Sequence, residues 1–268
     1  MRLTCQERHP PGETLLDKWR FLEGAGWDGI ELLGTGDGAF RARARELRDA
    51  HRAGVPMGTV CIQGGPFIGD VDPERRARAI ASMKELLSGI SEVGGTGAIT
   101  PASYGVHTTS LPPYERPRSP EEDREVLVAA LAELGEHAAR EGTLVLLEPL
   151  NRYEDHMLNR VEQAVELAEA VGLDSVRVMA DLYHMNIEEA DPLQALRDGA
   201  RRLAHVHLSD SNRGQPFAGH VDWGAVLATL AGVGYDGDLA LECRLHGEPE
   251  DALPAVAARL RAVMPARG

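Results

Sequence analysis

Residues 144–154 read LVLLEPLNRYE, a run of four apolar residues that leads into a carboxylate and a polar turn. Four apolar residues are too few for a helix and fit a strand that is buried on both faces of a parallel sheet. A carboxylate at the end of such a strand is costly to bury unless a partner neutralises it. Taken alone, Glu148 is compatible with a salt-bridged strand end, so the rest of the chain must decide its role.

The same alternation of strand and helix recurs along the whole chain, with no linker between the units. We predict eight strands at about residues 3–5, 30–33, 57–62, 97–100, 144–147, 176–180, 203–208 and 239–241. Alternation of this kind implies a parallel sheet, and eight units in 268 residues favour closure as one α/β domain over residues 1–268, a (β/α)8 or TIM barrel. A doubly wound open sheet is disfavoured because no Gly-x-Gly-x-x-Gly turn follows the first strand.

Helical patterns fill the intervals between these strands. We predict helices at about residues 14–23, 40–53, 72–92, 120–140, 159–171, 192–199, 223–231 and 250–263. The proline-rich segment 101–120 is the longest irregular stretch, and a loop of this length in a compact domain is usually functional, often as a lid.

Charge and composition exclude several classes of partner. The net charge of −14 and the isoelectric point of about 5.2 argue against nucleic acid or an anionic membrane as a partner. The N-terminus lacks an apolar core of signal-peptide length, and no run approaches the ~18 apolar residues of a membrane span. The three cysteines are not spaced as zinc pairs, so we expect reduced thiols in a cytoplasmic protein.

Each of the last four predicted strands ends in a residue type that binds metals. The residues are Glu148, Asp181, His207 and Glu242, at intervals of 33, 26 and 35 residues, each about one strand–helix unit. Neighbouring barrel strands would therefore bring all four to the same height on the C-terminal face, where TIM barrels carry their active sites.

The residues beneath these positions support the same interpretation. Alternate residues of a strand face the same way, so Leu146, Met179 and Ala240 should fill the barrel interior below the carboxylates. Below His207 lies His205, which we expect to be a hydrogen-bonded core histidine rather than a ligand. Three carboxylates and one imidazole would repel one another without a cation, and this ligand set suits Mn²⁺, Mg²⁺ or Co²⁺ better than a structural zinc.

Four motifs together resemble the ketose 3-epimerases of the xylose isomerase-like superfamily of TIM-barrel sugar isomerases and epimerases. They are EPLNRY from Glu148, DLYHMNIEE from Asp181, HLSDSNR from His207 and GYDGDLALE ending at Glu242. The similarity spans about residues 140–245, while the N-terminal half is similar only in architecture.

The resemblance implies a function for each of these residues. Glu148, Asp181, His207 and Glu242 would bind one divalent metal, usually Mn²⁺, with Co²⁺ or Mg²⁺ as alternatives. Glu148 and Glu242 would also be the catalytic acid/base pair of an epimerase that acts at carbon 3 of a ketose through an enediolate. Three residues of the neighbouring loops would bind the sugar: Glu154, His184 and Arg213. The resemblance also implies a homo-oligomer, a dimer or a tetramer.

The N-terminal loops depart from this family. Ketose 3-epimerases usually carry aromatic residues after the first strand and a tryptophan near the fourth, whereas this chain has QERHP at residues 6–10 and Tyr104 and His107 near strand four. The identity of the sugar therefore stays open. Three other enzymes also stay open: a hydroxypyruvate-isomerase-type aldose–ketose isomerase, a lyase or dehydratase of a keto-sugar or keto-glycoside, and an apurinic-site endonuclease, which the acidic charge and single metal set disfavour.

Overall fold

The computed structural model describes residues 1–105 and 116–265. Within them, eight parallel strands close into a barrel in chain order, each strand pairing with the next and β8 pairing with β1. The strands are β1 Arg2–Gln6, β2 Gly29–Gly34, β3 Met57–Ile62, β4 Gly97–Pro101, β5 Leu144–Glu148, β6 Val176–Asp181, β7 Leu203–Leu208 and β8 Asp238–Leu241. The predicted single-domain (β/α)8 barrel is confirmed.

Helices lie between the strands. They are α1 Leu15–Gly24, α2 Ala39–Ala42, α3 Ala44–Arg52, α4 Pro73–Ser91, α5 Pro120–Glu141, α6 Val161–Val171, α7 Leu182–Glu188, α8 Pro192–Gly199, α9 Trp223–Gly232 and α10 Pro249–Val263. None of these helices is long and apolar enough to cross a membrane.

The structure differs from the predicted helices at two places. The helix predicted at residues 40–53 is divided at Arg43, whose guanidinium turns inward and donates to both carboxylate oxygens of Glu7 at 2.7 and 2.8 Å. The second difference is α7, a helix that the sequence prediction lacked. It begins directly after β6 because an oxygen of Asp181 caps it, accepting from the backbone N–H of Tyr183 at 2.7 Å.

Local sequence signals explain where the longer helices begin and end. Ser119 and Glu122 form a capping box at the start of α5, and Pro120 occupies its first turn. The same helix ends at Gly142, whose φ of 70° is a left-handed conformation that glycine adopts without strain. Of the proline-rich segment between β4 and α5, residues 106–115, including His107, lie outside the described residues, and they form the central part of the predicted lid.

Two apolar regions stabilise the barrel. The larger one lies between the strands and the surrounding helices, and the smaller one fills the barrel interior with a few buried side chains: Cys61, Ile99, Leu146 and Met179. Leu146 and Met179 therefore face inward, as the alternation along β5 and β6 predicts. Because Glu148 and Asp181 lie two residues further along these strands, both carboxylates face the same interior at its C-terminal end.

Candidate metal centre and active site

The structure brings the four predicted metal ligands together. Each of Glu148, Asp181, His207 and Glu242 is buried, and one ligand atom from each lies within 4.8 Å of the others. From His207 Nδ1 the distances are 3.0 Å to Glu242 Oε2, 3.6 Å to Glu148 Oε1 and 3.8 Å to Asp181 Oδ2. The strand register explains this arrangement, since His207 pairs with Asp181 on β6 and with Ala240 on β8, two residues before Glu242.

Two atoms of this cluster suit a bound cation. His207 Nδ1 and Glu148 Oε1 are fully buried, and neither has a hydrogen-bond partner among the described residues. Buried polar atoms are nearly always satisfied, and a divalent cation would satisfy both. The other ring nitrogen, Nε2, lies 3.0 Å from a carboxylate oxygen of Glu31, so a neutral His207 presents its Nδ1 lone pair to the carboxylates. Three oxygens and one nitrogen suit Mn²⁺, Mg²⁺ or Co²⁺.

The charges of the cluster are strongly coupled. Burial raises the pKa of the Glu148 carboxyl. Burial acts in the same direction on Glu242, but His207 and Arg213 outweigh it and hold the pKa of Glu242 well below its usual value. For His207, burial lowers the pKa, yet the charges of Glu31 and Glu242 raise it overall. Without a cation, a proton on His207 therefore neutralises part of the cluster.

Arg213 connects two of the carboxylates from the loop after β7. Its guanidinium donates to Asp181 Oδ2 at 2.6 Å and to Glu242 Oε2 at 3.0 Å, and it lies 4.9 Å from the centre of the Tyr183 ring. The two oxygens of Asp181 thus have different partners, because Oδ1 caps α7 while Oδ2 faces the cluster.

Another acid in the same loop has a structural role. Asp210 is buried and accepts from the indole N–H of Trp223 at 2.9 Å and from the backbone N–H groups of Ser211 and Phe217. These bonds fix the loop that carries Arg213.

His184 and Glu154 lie beside the cluster and share a neighbour. His184 Nδ1 accepts from the backbone N–H of Asn151 at 3.0 Å, so a neutral ring carries its proton on Nε2, which lies 4.0 Å from Asp181 Oδ2. The side-chain amide of Asn151 also donates to Glu154 Oε1 at 3.1 Å. The motif after β5 therefore positions both residues.

A cavity of about 550 Å³ opens above the cluster, within the usual size range of small-molecule sites. The predicted site residues Glu148, Glu242, Glu154, His184 and Arg213 all line it. Other loops complete the wall with residues that the sequence prediction did not single out for a role, among them Arg8, His9, Gln63, Tyr183 and Arg244.

Arg8 is the most direct of these additional contacts. Its guanidinium donates to Glu242 Oε1 at 3.3 Å from the loop after β1. The loop after the first predicted strand must lie at the C-terminal face of a barrel, so the sequence could have indicated Arg8 as a residue of the site. Glu31 was also missed, although a charged residue in the middle of the apolar strand GIELLG requires a buried partner.

The comparison with protein families agrees with this geometry. The family model described as "Xylose isomerase-like TIM barrel" matches residues 19–263. The chain belongs to this family. The resemblance noted from the four motifs is thereby confirmed.

Named relatives match over most of the chain. A 3-dehydro-D-guloside 4-epimerase of Escherichia coli is 38% identical over 249 residues, which are 92% of this chain and 94% of the relative. An L-ribulose 3-epimerase of Mesorhizobium japonicum is 32% identical over 225 residues, 81% of this chain and 71% of the relative. The chain is accordingly a sugar epimerase, an enzyme of the isomerase class.

Solved structures give the same result. A 3-keto-D-glucoside 4-epimerase from E. coli superimposes with a TM-score of 0.91 at 36% identity and covers 98% of this chain and 99% of that one. A D-psicose 3-epimerase from Clostridium cellulolyticum superimposes with a TM-score of 0.82 and covers 98% of this chain and 99% of that one. Its sequence is only 21% identical, so this match shows the shared fold alone.

Proposed function

We propose that the chain is a divalent-metal-dependent epimerase that inverts the hydroxyl-bearing carbon beside the ketone of a sugar. The observation that carries the proposal is the buried group in which His207 Nδ1, without a hydrogen-bond partner among the described residues, faces three carboxylates at the floor of the cavity. The proposed metal ligands are Glu148, Asp181, His207 and Glu242.

The metal and the protein would contribute different parts of the chemistry. An ion such as Mn²⁺, with Co²⁺ or Mg²⁺ as alternatives, would act as a Lewis acid on the ketone oxygen and the adjacent hydroxyl, and would stabilise negative charge there. The four side chains supply a closed, buried floor that orients this end of the sugar.

Proton transfer is proposed for Glu148 and Glu242. Both carboxylates line the cavity, and they come from β5 and from the residue after β8, so that β6 and β7 separate them. One carboxylate would remove the proton from the carbon beside the ketone, and the other would return a proton to the opposite face. In the reverse direction the two groups exchange roles.

Substrate binding is proposed for three further residues of the cavity wall. His184 is held with its Nε2–H directed toward the cluster and would donate to a sugar oxygen. Glu154 would accept from a hydroxyl. Arg213 would offset the negative charge that develops on the oxygen beside the reacting carbon.

The same chemistry serves two classes of sugar. In a 3-keto-glycoside carbon 4 is one of the two carbons beside the ketone, and in a free 2-ketose carbon 3 is one of the two. We propose a 3-keto-glycoside as the substrate, since the match with the E. coli 3-dehydro-D-guloside 4-epimerase covers 94% of that relative. The loop at residues 6–10, which lacks the aromatic residues usual in ketose 3-epimerases, supports this choice. The L-ribulose 3-epimerase match keeps a 3-epimerase of a free ketose as the second candidate.

Two further properties are proposed, the oligomeric state and the location in the cell. We infer a homo-oligomer, a dimer or a tetramer, from the resemblance to ketose 3-epimerases alone. A cytoplasmic location is supported by three cysteines that are all buried and free.

A substrate panel tests the proposal. Metal-free protein is reconstituted with Mn²⁺ and incubated separately with a 3-keto-glucoside and with free ketoses, and the products are followed by NMR. We expect the 4-epimer of the keto-glycoside at the higher kcat/KM and no product without metal. Faster 3-epimerisation of a ketose would select the second candidate. An aldose, or an elimination product from the keto-glycoside, would instead indicate the isomerase or lyase alternative and contradict the epimerase proposal.

A further inference from the structure

A buried carboxylate outside the proposed ligand set lies on β2. Glu31 is 0% exposed and points into the barrel, where much of the neighbouring interior is apolar. An ionised carboxylate in such a place is costly unless its oxygens are paired. Its surroundings must therefore supply donors.

Donors from three other strands surround this carboxylate. Gln6 on β1 donates to Glu31 Oε1 at 2.9 Å, and the hydroxyl of Thr59 on β3 donates to Oε2 at 2.7 Å. On β7, His207 Nε2 lies 3.0 Å from Oε1 and His205 Nε2 lies 2.8 Å from Oε2. His205 is therefore buried in the barrel as predicted, with its Nε2 beside a carboxylate oxygen of Glu31 but without a hydrogen bond to it.

The hydrogen bonds from Gln6 and Thr59 give each oxygen of Glu31 a neutral donor, which offsets part of the cost of burying its charge. An anion thus lies directly behind the imidazole whose other nitrogen faces the proposed metal centre.

Glu31, His205 and His207 are also close enough to form a second metal group. The hydrogen bonds argue against that interpretation, because each carboxylate oxygen already accepts from a neutral donor, the amide of Gln6 or the hydroxyl of Thr59. The group is better explained as a support for the ligand above it.

We infer that Glu31 is a positioning residue, which accepts the Nε2–H of His207 across the barrel and holds the Nδ1 lone pair toward the metal centre. The inference rests on the proposed role of His207 as a ligand. A carboxylate behind a ligating histidine fixes the ring orientation and raises its basicity, and losing such a partner typically weakens metal binding. Because β1 and β8 separate β2 from β7, this contact also fixes the distance across the barrel below the site.

Mn²⁺ binding by variants at position 31 tests this role. Glu31→Leu removes the acceptor, whereas Glu31→Gln keeps the shape and one acceptor oxygen. Thr59→Val is the matched control, because it removes a donor to the same carboxylate but leaves the oxygen that faces His207. Calorimetry gives the Mn²⁺ affinity of each metal-free protein, and pulsed EPR detects the ¹⁴N coupling of an imidazole bound to Mn²⁺. His207→Gln assigns that signal.

We expect Glu31→Leu to bind Mn²⁺ roughly 10- to 100-fold more weakly than wild type and to lose the ¹⁴N coupling. Glu31→Gln should retain the coupling with an intermediate affinity, and Thr59→Val should stay close to wild type. Wild-type Mn²⁺ affinity in every variant at position 31 that folds, as judged by circular dichroism, would overturn the role of Glu31 alone. A wild-type protein without ¹⁴N coupling would overturn the metal centre itself, and this role with it.

Discussion

At the scale of single residues, the site is a set of carboxylates whose oxygens have different partners. Asp181 caps a helix with Oδ1 and faces the cluster with Oδ2. Glu242 receives Arg8 on Oε1 and Arg213 on Oε2, whereas Glu148 Oε1 has no hydrogen-bond partner in the described part of the chain. Two glutamates in such different surroundings fit the proposed exchange of a proton between two faces of the sugar.

Replacing either of the two proposed proton-transfer groups should slow turnover strongly. Glu148→Gln and Glu242→Gln each keep the size of the side chain and one oxygen but cannot exchange a proton at neutral pH. We expect kcat to fall by about 10²–10⁴-fold in each variant, measured at saturating Mn²⁺ on the preferred substrate. Glu250→Gln, an exposed substitution in α10, is the control and should leave kcat unchanged. A wild-type kcat in either site variant would contradict the two-base assignment.

The sequence predicted the cluster of four residues but not the contacts that Glu31 and Arg8 make with it, because these two residues are far from the cluster along the chain. Metal-binding residue types at the ends of successive strands, one strand–helix unit apart, can be found by counting residues along the sequence. Glu31 contacts His207 over a separation of 176 residues, and Arg8 contacts Glu242 over 234. Such contacts depend on barrel closure and on side-chain direction, which a linear pattern does not contain.

At the scale of elements, the loops after β4 and β5 are held together beside the cavity. Gly105 N–H donates to the carbonyl of Glu154 at 2.7 Å, and the Ser103 hydroxyl donates to Asp155 Oδ1 at 2.5 Å. These contacts fix the backbone of the turn that presents Glu154 to the cavity. The helix α7 escaped prediction for a related reason, since its seven residues are too few to show a clear periodicity and Asp181 serves both as a strand end and as its cap.

Asp155 should make stability depend on pH. Burial raises its pKa from an ordinary value of 3.8 to about 6, so between these values the folded chain holds a proton that the unfolded chain has lost. Stability from this group therefore falls as pH rises from about 4 to 6, by about 3 kcal/mol in total, and stays lower above pH 6.

Asp155→Asn tests this dependence, because it removes the titration and keeps an acceptor oxygen for Ser103. We expect the difference in unfolding free energy, variant minus wild type, to become more positive from pH 4 to pH 7 in urea titrations with a chelator present. Asp174→Asn, at an exposed position, is the control and should leave the shape of the profile unchanged. Parallel profiles for wild type and Asp155→Asn would contradict the assignment.

At the scale of the whole molecule, barrel closure brings together residues from both ends of the chain. The motifs between residues 140 and 245 indicated the proposed ligands from the sequence alone, because the register between neighbouring strands places equivalent positions at one height. The N-terminal half was predicted as architecture only, and it contributes Arg8, His9 and Gln63 to the cavity wall. We propose that this wall selects the sugar, which would explain why the sequence indicated the chemistry more sharply than the substrate.

Mn²⁺ should stabilise the whole barrel. Three carboxylates and an imidazole from β5 to β8 converge on one point, so a cation bound there favours the folded state. At a concentration 100 times its Kd, we expect about 2.7 kcal/mol of added stability, seen as a higher Tm. Asp181→Asn and His207→Gln should reduce this shift, while Glu250→Gln should retain it. An equal shift in all four proteins would mean that Mn²⁺ binds elsewhere.

The position of deuterium uptake tests the central claim most directly. Turnover of a 3-keto-glycoside in deuterated water with Mn²⁺ should place solvent deuterium at carbon 4 of the epimer and of the recovered substrate, and none at carbon 2. A free ketose, if it reacts, should exchange at carbon 3 rather than carbon 1. Epimerisation without any solvent deuterium in the product, or exchange that persists unchanged in the Glu148→Gln and Glu242→Gln variants, would contradict proton transfer by these two glutamates.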